Sequence, residues 1–157
     1  AHVSAVPNHQ VGRITSFAMR CNVAMPGQFG FELDLNGCSE KELETAEKAI
    51  KDYRKYGEIF HKGDCYRLKS PFESDICAIE FISEDKSTVT LTVNSSKATA
   101  YAPDEYILFE GLDETAVYTL DGTDKHFGGD YLMNIGWHFV NNRENQSVTT
   151  VFKRSVN

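Results

Sequence analysis

The spacing of apolar residues changes period at Cys65, and that switch constrains the fold more than any other feature of the chain. Before it, apolar side chains recur mainly every three or four residues, and after it they alternate one by one. A stretch with the helical period cannot bury one face as a strand, so the chain has to combine a helix-containing segment, 1–64, with an all-β segment, 65–157. Its 157 residues suffice for one good domain and an appendage, because domains usually run to ~100–150 residues.

In the first segment, RITSFAMRCNVAM spaces Ile14, Phe17, Ala18, Cys21 and Met25 at helical intervals before Pro26-Gly27, which predicts a helix over 13–25. FGFELDL then alternates Phe29, Phe31, Leu33 and Leu35 with smaller or charged residues, which predicts a strand over 29–35. Asn36-Gly37 breaks that strand. Ser39 with Glu42 has the spacing of a capping box and opens a helix over 39–59. Leu43, Ala46, Ile50, Tyr53 and Gly57 form its apolar stripe, and Glu47 with Lys51 makes an i,i+4 pair.

From Cys65 the runs CYRLKS, ICAIEFIS, STVTLTVN, EYILFEG, AVYTLDG and SVTTVFKR read as strands, separated by turn-rich stretches such as Ser83 to Lys86 and Gly128 to Asp130. Their spacing is that of an antiparallel β-sandwich. Its expected core is Leu68, Ile79, Phe81, Val89, Leu91, Val93, Ile107, Phe109, Val117, Tyr118, Val148 and Val151.

Composition removes several functions. A net charge of −7 repels phosphate backbones and anionic membranes, and no cluster of Lys and Arg reverses it locally, so nucleic acid and membrane surfaces are excluded as partners. No apolar run approaches the ~20 residues needed to span a bilayer. The opening AHVSAVPNHQ lacks the regions of a signal peptide and reads as the inside of a longer protein. Cys21, Cys38, Cys65 and Cys77 form no CxxC pair, which argues against a metal site and for free thiols in a reducing, cytoplasmic setting.

Four stretches together, HVSAVPNHQVGR at 2–13, FGFELDL at 29–35, GDCYRLKSPFE at 63–73 and GTDKHFGGDYLMNIG at 122–136, resemble the melibiase and raffinase type of α-galactosidase in glycoside hydrolase family 36. The resemblance runs over nearly the whole chain. It implies that 1–64 is the C-terminal end of a bacterial catalytic (β/α)₈ barrel, with FGFELDL as its eighth strand and helix 39–59 closing it, followed by the C-terminal β-sandwich. It further implies retaining hydrolysis of terminal α-galactosides such as melibiose and raffinose by two carboxylates about 5–5.5 Å apart, with no cofactor, in a homo-oligomeric parent. In the family both catalytic aspartates precede the HVSAVPNHQ segment, so the resemblance places no catalytic residue in this chain. The partner it does imply is the upstream part of the barrel.

His2, Ser4, Asn8 and His9 are the densest polar group, and in the family they follow a barrel strand on the side where active sites form. They are the candidates for support of the substrate side, set against a simpler role of Asn8 and His9 in bracing the turn at Pro7. Glu32 and Asp34 share a strand face and suggest an acid and base pair, but Asp34 suits a bond to the Asn36-Gly37 turn and Glu32 an ion pair with an arginine. Arg67 reads as a buried structural arginine. Tyr101, Tyr106, Phe109, Tyr118, Phe127, Tyr131, Trp137 and Phe139 are candidates for core packing or for a sugar-stacking platform. The competing functions are therefore a non-catalytic end of a glycosidase, a free-standing carbohydrate-binding module, which leaves 1–64 without a purpose, and a small hydrolase built on Glu32 and Asp34, which lacks a positioned sugar-binding set.

Overall fold

The computed structural model describes residues 1–100 and 104–155. They fall into two compact units, Ala1–His61 and Lys62–Asn157.

In the first unit, strand β1 (His2–Ser4) leads through helix α1 (Phe17–Ala24) to strand β2 (Gly30–Glu32), which lies parallel to β1 with Val3 opposite Phe31. This is a βαβ connection. Helix α1 starts four residues later than its apolar spacing predicts, because the preceding segment has its own hydrogen bonds. Asn8 N–H donates to the Arg13 carbonyl at 2.8 Å, Gly12 N–H donates back to the Asn8 carbonyl at 2.7 Å, and Gly12 turns the chain with φ 65°. The helix is then opened by Ser16, whose hydroxyl accepts Met19 N–H at 3.1 Å. Ile14 stays outside it and is exposed.

Strand β2 is shorter than the expected 29–35, because Asp34 ends it: its carboxylate accepts Asn36 N–H at 2.9 Å and caps a 3₁₀ turn at Leu35–Gly37. Helix α2 (Glu40–Lys62) follows, with the capping box in place. Ser39 N–H and hydroxyl donate to one Glu42 carboxylate oxygen at 2.9 and 2.8 Å. Glu47 and Lys51 pair at 2.6 Å. The buried stripe of α2 is Ala46, Ala49, Tyr56, Gly57 and Phe60, rotated from the expected one, so that Leu43 is exposed.

The second unit is antiparallel β-structure. Strands β3 (Asp64–Lys69), β4 (Ile76–Ile82), β5 (Thr88–Ser95), β7 (Val117–Leu120), β8 (His126–Gly128) and β10 (Gln146–Arg154) form a six-stranded sheet in the order β3-β4-β5-β10-β7-β8. Strands β6 (Glu105–Ile107) and β9 (Trp137–Phe139) form a second, two-stranded sheet. The stretch at Gly129, read as a turn, holds instead a short helix α3 (Gly129–Asn134).

One apolar core joins both sheets and α3, with Leu91, Val93, Ile107, Phe109, Tyr118, Leu132, Phe139 and Phe152 among its members. Leu68 and Val148 pack against it. Strand β4 faces the core the other way from expectation: Ile76, Ala78, Glu80 and Ile82 point in, while Ile79 and Phe81 lie on the opposite face. The pattern misleads because Glu80 reads as an outward residue, yet its carboxylate accepts Glu110 N–H inside the fold at 3.0 Å. Val117 is exposed beside the buried Tyr118, since neighbours on a strand point to opposite faces.

Candidate functional site

The polar residues singled out near the start are distributed over β1 and the loop that leaves it. His2 sits on β1 and pairs through Nε2 with Glu32 Oε2 at 2.8 Å, both side chains being largely exposed. The partner expected for Glu32 was an arginine, and the structure supplies this histidine instead. An exposed pair of this kind contributes ~0–1 kcal/mol. Ser4 ends β1, and its backbone carbonyl accepts a hydrogen bond from Arg20 Nη1 on α1.

Asn8 lies in the loop, where its side-chain oxygen accepts Gln10 and Val11 N–H, each at 3.1 Å. Asn8 therefore braces the turn, as the simpler reading held. His9 is exposed on that turn. His2 and Ser4 lie in a strand rather than after one, so the group is split between strand and loop.

A cavity of about 480 Å³ opens beside this loop. It is lined by His2, Ser4, Asn8, Gln10, Arg13 and Arg20 together with small and apolar residues of α1, while His9 does not line it. Three of the four sequence candidates thus share one cavity, joined by two arginines that sequence reasoning missed.

Arg20 is the more informative of these. Its side chain is only 10% exposed, its guanidinium lies 4.8 Å from the centre of the Phe17 ring, and Nη2 stands 3.8 Å from Glu42 Oε1. Its Nε is buried and has no hydrogen-bond partner among the described residues. The signal was present in the sequence, since Arg20 interrupts the apolar run of α1 next to Cys21. Burial pushes the Cys21 thiol up to about 11, which leaves it protonated and unreactive near neutral pH.

Glu32 and Asp34 do not form a catalytic pair. Glu32 faces His2, whereas Asp34 has left the strand to cap the 3₁₀ turn. Arg67 is exposed rather than buried. Among the aromatic candidates, Phe109, Tyr118 and Phe139 are buried in the core, and Phe127 and Trp137 pack against it. Tyr106 and Tyr131 are about half exposed. Tyr106 stacks on His138 at 5.1 Å, with Asp104 3.2 Å from the imidazole. Tyr101 lies outside the described residues. No group of three His, Cys, Asp or Glu side chains among the described residues could hold a metal ion, and no described helix is long and apolar enough to cross a membrane. Positioning a loop beside a polar cavity is what this geometry can do.

Comparison with known proteins fixes the family. The melibiase family model matches residues 1–63, and the model of the glycosyl hydrolase family 36 C-terminal domain matches residues 76–152. The chain belongs to glycoside hydrolase family 36. Among relatives in the family, alpha-galactosidase AgaA of Geobacillus stearothermophilus is 41% identical over 136 residues, 87% of this chain and 18% of AgaA. The bifunctional alpha-galactosidase/sucrose kinase AgaSK of Mediterraneibacter gnavus is 38% identical over 87% of this chain and 14% of its own length. The chain therefore spans less than a fifth of either relative. The solved galactosidase domain of AgaSK superimposes with a TM-score of 0.95 at 35% identity, covering 99% of this chain and 22% of that one. The crystal structure of AgaA gives 0.94 at 37% identity, covering 99% and 22%.

Proposed function

We propose that this chain is the C-terminal region of an α-galactosidase, a retaining glycosidase that removes terminal α-galactose. The observation that carries this reading is the succession of two family-36 matches along one short chain, melibiase first and C-terminal domain second. Residues 1–64 are the end of the catalytic (β/α)₈ barrel and 65–157 the C-terminal β-sandwich. The parallel β1-α1-β2 unit supports the first assignment, since parallel strands joined by helices build such barrels. A shared core between a six-stranded and a two-stranded antiparallel sheet supports the second.

The role of the chain in the parent is structural. It completes the barrel and supplies the loop after β1, while the nucleophile and the acid lie on upstream strands. Crystal structures of AgaA variants with raffinose and stachyose make such oligosaccharides the substrates to test. The parent operates in the cytoplasm, a placement supported by the free cysteines Cys21, Cys38, Cys65 and Cys77. The deciding experiment is to express the full-length enzyme that carries this chain and to measure galactose release from melibiose, raffinose and p-nitrophenyl α-galactoside. Release with retention of anomeric configuration is expected. A full-length enzyme inert toward all three would end the proposal.

A further inference from the structure

Three observations converge on Arg20. It is buried on α1, it donates to the carbonyl of Ser4 at the very end of β1, and its other terminal nitrogen faces Glu42 at the start of α2. Glu42 is itself fixed by Ser39, so the guanidinium is held from both sides. Beyond Ser4 the chain leaves the strand as the loop 5–13, closed upon itself by the Asn8 and Arg13 backbone pair. Arg20 therefore sets the point and direction from which that loop departs.

We infer that Arg20 is a positioning residue for α-galactoside binding in the parent enzyme, because it fixes loop 5–13 as one wall of the substrate site. The inference rests on the α-galactosidase reading above. Loops that follow the C-terminal ends of parallel barrel strands carry the substrate. This one borders a cavity of about 480 Å³, within the size range of ligand sites, whose polar lining of His2, Asn8, Gln10 and Arg13 offers donors and acceptors to sugar hydroxyls. Arg20 reaches the loop from beneath through Ser4, and so acts on substrate through the backbone it holds.

The test is the kinetics of raffinose hydrolysis by the full-length enzyme with Arg20→Met and Arg20→Lys. If the loop is a wall of the site, Arg20→Met raises KM about tenfold while kcat stays within about twofold, the pattern of lost binding rather than lost chemistry. Arg20→Lys, which keeps a donor to the Ser4 carbonyl, recovers part of that loss. A lowered melting temperature with unchanged KM would overturn the inference and leave Arg20 a purely structural residue. In parallel, amide nitrogen–proton spectra of the present chain compare wild type with Arg20→Met. Signals of 4–13 should move while those of β10 stay in place, and an unmoved loop would also overturn it. A parent without α-galactosidase activity sinks the functional reading instead, and the spectra then decide separately whether Arg20 holds the loop.

Discussion

The buried carboxylate of Glu80 accepts the backbone N–H of Glu110 at 3.0 Å, so an acid on β4 holds the turn that follows β6. The chain turns just beyond it at Gly111, with φ 70°, where a Cβ would come within 2.5 Å of the Tyr66 hydroxyl. Burial pushes the Glu80 carboxyl up to about 8 from an ordinary 4.5, and the neighbouring Glu110 adds to the rise. Between those values the folded protein keeps a proton that the unfolded chain has released, so stability falls as pH rises from about 4.5 to about 8. The total effect is of the order of a few kcal/mol. Glu80→Gln mimics the protonated acid and flattens this slope, making the variant the more stable of the two at pH ~8.5. Urea denaturation of both proteins at pH ~5.5 and ~8.5, followed by Trp137 fluorescence, checks the expectation. Parallel losses of stability in the two proteins would refute it.

Phe152 is the centre of the aromatic core, with ring centres of Phe109, Phe127 and Trp137 at 5.2, 5.9 and 6.5 Å. Phe152→Ala leaves a cavity ringed by stiff side chains that cannot collapse into it. A loss of ~3–5 kcal/mol is expected from chemical denaturation, and one below ~1 kcal/mol would show that the core relaxes freely.

Helix α2 depends on its first turn. Ser39→Ala removes the hydroxyl of the capping box and is expected to cost ~0.5–2 kcal/mol. The Ser39 hydrogen bonds also hold the Glu42 carboxyl below its usual range. That contribution is present above the ordinary glutamate value and is lost as pH falls through the lowered one. Thermal melts at pH ~3 and ~7 should therefore show Ser39→Ala costing more at the higher pH.

The chain by itself should not hydrolyse p-nitrophenyl α-galactoside, since the carboxylates needed for retaining chemistry lie upstream in the proposed parent. Turnover above a blank that disappears in Asp34→Asn would reverse that assignment.

Much of this was legible from residue spacing, and the failures have physical causes. Ser39 and Glu42, Glu47 and Lys51, and the Asp34 turn were readable because each depends on partners within four residues in sequence. Val89, Leu91 and Val93 were readable because apolar residues alternate with polar ones along the sequence of β5. Glu80 was not, because its partner Glu110 is 30 residues away and only tertiary structure makes an inward acid tolerable. Strand β1 escaped notice since three residues carry too little periodicity to register. His2, Ser4 and Asn8 were singled out by their polarity and line one cavity, whereas Arg20, which lines it too, was not singled out, because only the tertiary structure brings it to Ser4 and Glu42.

The strand order carries a consequence for synthesis. Strand β10, residues 146–154, lies between β5 and β7, paired over eight positions with one and three with the other. Everything from β3 to β9 is translated before the strand that joins its halves exists. Until the ribosome releases those residues, β5 exposes an unpaired edge of alternating apolar and polar residues, a template for pairing with another nascent chain. Of the sheet's six strands the one made last lies inside it, so a premature stop between the end of β8 and residue 146 leaves two half-sheets with nothing between them, substrates for chaperones and proteases.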